Sequence, residues 1–307
     1  MIIYFGKLNL NSSHIYKVYK NEIELNEILD KVLISLKDGI KYEMEEYYKE
    51  GTETKVSTTT YTLKIKEKTE SYVSGFIYKD ATIYFKQYNE ISKKFEWHSV
   101  ISNESADFYL DVYSEKVGYL TANRFGYKEF LHAFEGIINK GLELEEYEYR
   151  FTVELLTSGM SIDDIKDELK SISNIQKLKI KIQPPNINDD LMKAMEEDAE
   201  ETLKNFEDAN IATKSILLTS SSRVGLNIES KEINDQLDQL ASIHSKISPN
   251  TLMKNGYVEI EVTDGFGEKI TTGEKKAVKK EIDNIIDFVT ACNRVIKKGI
   301  QVDGDSN

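Results

Sequence analysis

The apolar positions of this chain follow two rhythms, one of period two and one of period three to four, and the rhythm changes several times along the sequence. Residues 2–10, "IIYFGKLNL", alternate and predict an opening strand. Leu25, Ile28, Leu29, Val32, Leu33 and Leu36 recur three and four apart, which predicts a helix over 22–37 closed by Gly39. From 56 to 112 the segments "KVSTTTYTLKIKEKT", "SYVSGFIY", "ATIYFKQY", "FEWHSVI" and "DFYLDVY" are short, aromatic and β-branched. They predict an antiparallel meander, and the Thr and Tyr alternation leaves one of its faces in water.

After Gly118 strands and helices take turns. A strand at "YLTAN" leads to a helix over 127–139 with Phe130, Leu131, Phe134, Ile137 and Ile138 on one stripe. A strand at "YRFTVELL", a helix over 162–172 and a strand at "KLKIKI" complete a βαβαβ order. In that last strand Leu178, Ile180 and Ile182 alternate with Lys177, Lys179 and Lys181, so one face is apolar and the other cationic. Pro184 and Pro185 then stop the strand, because proline lacks the ladder donor and holds its predecessor extended.

Asn188 or Asp189 caps an expected helix over 190–206; residues 189–208 hold nine acids and two lysines, a net charge of −7. Beyond it come a strand at "TKSILLT", a helix over 230–243 and a strand at "GYVEIEV". A hairpin follows at "TDGFGEKITTG", where Asp264 and Gly265 are expected to supply the tight turn, and a last helix over 275–298 carries Val278, Ile282, Ile285, Ile286, Val289 and Ile296. The expected fold class is therefore α+β: an N-terminal antiparallel sheet running into a βαβαβ unit, then a smaller C-terminal α+β portion. The expected domains are 1–183 and 187–299, with the double proline at their junction and a disordered tail over 300–307.

Composition narrows the functional classes. With 307 residues, 40% of them hydrophobic, the chain is long enough to bury a sizeable core. Fifty-three acids against forty bases leave a net charge of −13, which repels phosphate backbones. Only Arg124, Arg150, Arg223 and Arg294 offer the planar fork suited to bidentate phosphate and guanine contacts, so sequence-specific nucleic-acid reading is disfavoured. A single cysteine, Cys292, excludes an internal disulfide and a cysteine-based zinc cluster and fits a reducing compartment. No window approaches the length of a membrane-spanning apolar run, and the first residues lack a basic signal region. The expectation is a soluble cytoplasmic protein without a membrane partner.

Two residue sets bear on chemistry. Asp107, Asp111, Glu115 and Lys116, around "DFYLDVYSEK", have the residue types of a magnesium-dependent nuclease, in which hard oxygens hold the ion and a lysine steadies developing charge. The competing reading is a solvated sheet face, since so acidic a chain produces such spacings by chance. Lys177, Lys179 and Lys181, together with Lys275, Lys276, Lys279, Lys280, Lys297 and Lys298, would track a phosphate backbone if they converged, with Tyr147 or Tyr149 stacking bases. The competing reading is again a set of hydrated faces.

The other motifs carry less. The histidines His14, His98, His132 and His244 never pair at metal-ligand spacing, no EF-hand alternation occurs, and no metal site or cofactor is expected. "DGFGEKITTGEKK" lacks the spacing of a phosphate-binding loop. Cys292 adjoins an apolar stripe, where a small buried hydrophobe is commoner than a nucleophile.

The segments "ANRFGYKEFLHAFEGIIN", "LKIKIQPPNINDDLMKAMEEDAEETL" and "NGYVEIEVTDGFGEKITTGEK" resemble, in the order of their elements, a bacterial family described as a domain of unknown function. In that family a strand with a proline-containing exit precedes an acidic helix, and a later hairpin carries a D-x-x-G-x-K-like turn, here Asp264, Gly267 and Lys269. The resemblance covers the C-terminal two thirds, and the meander over 56–112 departs from its pattern. It supplies no active-site residues, and it implies a setting near phage-defence and mobile-element genes.

The leading expectation is a non-catalytic sensor or protein-interaction subunit of a bacterial antiviral defence system. Its partner would be a phage or host protein, and the stripe from Val278 to Ile296 would supply a contact for a homo-oligomer. The alternative is a nucleic-acid-binding effector that uses the lysine set, with or without metal-dependent cleavage by the acid set.

Overall fold

Strand β1 (Ile2–Leu10) is buried along most of its length because both of its faces meet apolar cores. In the computed structural model, which describes residues 1–50, 53–121, 124–157, 162–182, 208–209, 211, 213–242, 258–271 and 277–297, the remaining elements assemble around it. They are α1 (His14–Tyr19), α2 (Leu25–Ser35), β2 (Lys41–Glu50), β3 (Glu53–Lys68), β4 (Tyr72–Asn89), β5 (Lys94–Asp111), β6 (Lys116–Leu120), α3 (Tyr127–Leu144) and β7 (Phe151–Leu155). There follow α4 (Ile162–Ser171), β8 (Ile175–Ile182), β9 (Lys214–Thr219), α5 (Lys231–Ser242), β10 (Val258–Asp264), β11 (Lys269–Thr271), β12 (Lys279–Glu281) and α6 (Phe288–Lys297). The fold class is α+β, as expected.

Eight strands form the larger sheet in the order β12-β1-β6-β5-β4-β3-β2, with β7 also paired to β1. Strands β6 and β7 are both antiparallel to β1, Ile3 opposing Leu120 and Leu10 opposing Phe151. They flank it on opposite sides and are therefore parallel to each other, so β6-α3-β7 is a crossover that straddles β1. Its helix packs Phe130, Phe134, Ile137 and Ile138 against the sheet, alongside Ile28, Leu29 and Val32 of α2. On the opposite face Ile3 and Phe5 meet Phe288, Cys292 and Ile296 of α6. The second sheet runs β11-β10-β8-β9, and its Leu178, Ile180, Ile260 and Val262 pack on Ile165 and Leu169 of α4 and Ile233 and Leu237 of α5.

Several expectations need correction. The meander has fewer and longer strands than its segments predicted: "SYVSGFIY" and "ATIYFKQY" belong to one strand, β4, and "FEWHSVI" and "DFYLDVY" to another, β5. Polar residues such as Asp80 and Asn103 interrupt the apolar pattern but not the backbone ladder, in which they oppose each other. Helix α1 and the charged strand β2 were not foreseen. The helix expected over 275–298 is shorter: β12 pairs with the edge of β1, the Asn284 side chain accepts from the Ile286 N–H at 3.1 Å, and only then does α6 begin. Val278 and Ile282 are four apart, which satisfies a strand face as well as a helix face, so periodicity alone did not separate the two.

Strand pairing also crosses the boundary expected at 183–187. Strand β8 joins β9 and β10 of the second sheet, whereas β12 returns to β1. Pro184, Pro185, the acidic helix over 190–206 and the tail over 300–307 lie outside the described residues.

Candidate functional site

The four acid-set residues are not gathered at one point. Asp107 lies on β5 with the Lys66 Nζ at 2.5 Å, whereas Asp111 is buried at the strand end and accepts from the Ser114 N–H at 3.0 Å. Lys116 opposes Asp111 in the ladder. Glu115 occupies the turn between them in the left-handed region at φ 54°, and its carbonyl accepts from the Leu8 N–H at 2.8 Å. Asp111, Glu115 and Lys116 build the β5–β6 turn and fasten it to β1. Among the described residues no group of three or more His, Cys, Asp or Glu is placed to hold a metal ion.

The lysines are dispersed too. Lys181 and Lys179 oppose Glu259 and Glu261 of β10, and Lys177 opposes Thr263, so the cationic stripe is largely neutralised across the ladder. Lys279 and Lys280 lie in β12 at the edge of the other sheet, and the Lys279 Nζ sits 5.2 Å from the Tyr4 ring centroid. Lys297 ends α6, while Lys275, Lys276 and Lys298 lie outside the described residues. Tyr147 and Tyr149 are partly buried against the larger core, with the His14 ring edge-on to Tyr149.

The Lys181 Nζ is instead ion-paired with Glu154 of β7, and Glu154 opposes the buried Lys7 of β1. The line Lys7, Glu154, Lys181, Glu259 alternates in sign from one sheet to the other, and this is how the charged face of β8 is docked. Burial, reinforced by the Glu154 charge, pushes the Glu259 carboxyl above its ordinary range. Two pairs further along β1, on the same face as Lys7, Asn9 is 1% exposed and neither atom of its amide has a hydrogen-bond partner.

Other features serve the fold in whole or in part. The Val278–Ile296 stripe, expected to contact another chain, is divided: Val278, Ile282 and Ile296 are buried with Phe288 in the core beneath α6, whereas Ile285, Ile286 and Val289 are exposed. Cys292 lies in the same core, where burial pushes its thiol pKa up. A groove of about 640 Å³ lined by Lys41, Tyr42, His132, Asn139 and Arg150 lies beside α3. Its Asn139 is bonded in both directions to the Phe151 backbone, at 2.8 and 2.9 Å, which pins α3 to β7. At the C-terminal hairpin the Asp264 Oδ1 accepts from the Phe266 and Glu268 N–H groups at 2.9 and 2.8 Å. There it is Gly267, at φ 83°, and not Gly265, that adopts the left-handed conformation.

A feature that fold stability does not explain is the far end of β4 and β5. Strand β3 leaves β4 at Ala81 and β6 reaches β5 only from Phe108, so beyond Ala81 and Ser102 the hairpin runs, among the described residues, as two strands alone. At a rise of about 3.4 Å per residue the ribbon from Thr82 to Asn89 projects roughly 25 Å. Its tip is well built. The Asn89 Oδ1 accepts from the Ile91 and Ser92 N–H groups at 2.9 and 3.2 Å, while the Asn89 Nδ2 and Ser92 Oγ donate to the Glu96 carboxylate at 2.9 and 2.7 Å. Those two donors hold the Glu96 carboxyl below its ordinary range.

Register places Thr82, Tyr84, Lys86 and Tyr88 opposite Ile101, Ser99, Trp97 and Phe95, all on one face. Trp97 is 50% exposed, Phe95 67% and Ile101 68%. The Tyr88 and Phe95 rings meet edge to face at 5.4 Å. The reverse face carries Phe85, stacked on His98 at 5.8 Å, and Val100. Apolar side chains of both strand parities, extended beyond any core, were the available sequence signal: Tyr84 and Phe85 are adjacent, and so are Val100 and Ile101, which a half-buried strand of period two does not require.

The fold and this surface together define an α+β protein of two sheets from which an aromatic β-ribbon projects. The family described as "Domain of unknown function (DUF4747)" matches residues 48–297, and the chain belongs to that family. The match includes the meander over 56–112, which was expected to depart from the family pattern. No curated protein matches the chain.

Proposed function

We propose that this protein is a non-catalytic interaction subunit that binds another protein through the β4–β5 ribbon. The observation that carries this reading is the exposed face of Tyr84, Tyr88, Phe95, Trp97 and Ile101 on a hairpin that, among the described residues, has no third strand and no covering helix. An isolated two-stranded hairpin is marginal in water, and exposed aromatic patches mark interaction sites. Aromatic side chains, tryptophan and tyrosine above all, also dominate the energetics of protein interfaces. A cytoplasmic antiviral setting, with a phage or host protein as partner, belongs to the same proposal; the antiviral part rests on the resemblance carried by the segments quoted above, and the cytoplasmic part on the single cysteine, which fits a reducing compartment.

Lys86 over Trp97 supports a second reading, in which the ribbon stacks single-stranded nucleic acid. The test is affinity capture from phage-infected and uninfected cells with the full chain and with its Phe95→Ser/Trp97→Ser variant, each with and without nuclease treatment. The expected result is a protein retained by the wild type, lost with the variant and insensitive to nuclease. Nuclease-sensitive recovery, or recovery that ignores the ribbon, would overturn the reading.

A further inference from the structure

We infer that the ribbon packs against the ribbon of a second copy of this chain, aromatic face to aromatic face; the inference rests on the protein-interaction reading and names its partner. Area is the first argument. Four aromatic rings and Ile101 are exposed to between 44 and 68%. With each aromatic side chain contributing about 150–250 Å² when fully covered, the face offers on the order of 500 Å² per copy and 1,000 Å² for a pair. That total reaches the lower range of specific interfaces.

Charge is the second. Residues 81–102 carry Lys86, Lys93 and Lys94 against Glu90 and Glu96, a net +1, so with −13 over the whole chain the remainder carries −14. Two such bodies repel at contact, yet ribbons projecting roughly 25 Å keep them further apart than the Debye length of about 8–10 Å. The nearly neutral ribbon is thus suited to an apolar, salt-insensitive contact with its own copy.

Geometry is the third. Ser99 stands opposite Tyr84 in the middle of the face, so a two-fold axis passing near it sets each Trp97 against the other ribbon. The single native cysteine, Cys292, is buried, and Ser99→Cys therefore introduces the one accessible thiol among the described residues.

The experiment is sedimentation velocity on the full chain across a micromolar concentration series at low and moderate salt. The wild type is expected to dimerise with little salt dependence, and Phe95→Ser/Trp97→Ser to weaken the dimer by about thirtyfold or more. Ile34→Ser, which alters an exposed apolar residue of α2, is expected to leave it unchanged. Ser99→Cys is expected to give a disulfide-linked dimer with oxidised glutathione, and this arm reads the contact even if the double variant fails to fold. A monomeric wild type, a dimer indifferent to both ribbon substitutions, or a dimer that Ser99→Cys does not cross-link would overturn self-pairing. The capture experiment judges protein binding by the ribbon separately.

Discussion

Lys86 and Trp97 face each other across the β4–β5 ladder, with the Lys86 Nζ 4.9 Å from the Trp97 ring centroid. At an exposed site such a contact contributes about 0.5–1 kcal/mol. Lys86→Met keeps the aliphatic stem over the indole and removes the charge. Self-association measured by sedimentation should stay within about threefold of the wild type, whereas a nucleic-acid platform would lose one phosphate contact and reduce its salt slope by about one.

Asn9 tests the interior between the sheets. Unbonded buried polar atoms cost about 1–3 kcal/mol, and an apolar residue of similar shape removes that cost. Asn9→Leu should raise the thermal midpoint by several degrees, at about 2–4 °C per kcal/mol for a chain of this size class. A lowered midpoint would show that the amide is bonded in solution.

Glu259 gives the interface a pH signature. Its folded pKa lies above the unfolded one, so the native state holds the proton more tightly. The contribution to stability is intact below the unfolded pKa, near 4.5, and is lost as pH rises through the raised folded value. Glu259→Gln should therefore raise the melting temperature at neutral pH and change it little in mild acid. An equal shift at both pH values would contradict the assignment.

Gly118 is fixed by a close approach. A Cβ built there would lie 2.5 Å from the Cys292 Sγ, 3.2 Å from Phe5 and 3.3 Å from the Cys292 Cβ. Gly118→Ala should destabilise by about 1–3 kcal/mol through overpacking. Cys292→Ala in the same chain should recover part of that loss, and strictly additive effects in denaturant unfolding would show that the two do not touch.

Much of the fold was legible in the sequence, because helices α2, α3, α4 and α5 and the strands of the second sheet each carry one clear rhythm. Where a pattern satisfies two periods at once, as Val278 and Ile282 do, periodicity alone predicts a helix although Val278 precedes β12 and Ile282 follows it. The charged strand β2 is not legible in the sequence because its apolar signal is thin: among its described side chains only Tyr42 and Met44 pack against the core. The lysine stripe is one face of β8, as its alternation predicts, but the Glu259 and Glu261 that neutralise it are far away in sequence and become neighbours only through strand register. The ribbon was visible as two aromatic segments. That they extend past their neighbours depends on where β3 and β6 stop pairing, which no local pattern encodes.

The most direct test of the account uses the fact that Trp97 is the only tryptophan in the chain, so intrinsic fluorescence reports on the ribbon alone. Emission and acrylamide quenching should be recorded across the concentration range in which the protein passes from monomer to dimer. The account predicts a blue shift and a fall in quenching that follow the dimer fraction and disappear in Phe95→Ser. Emission that remains that of a half-exposed indole while the protein dimerises would contradict it.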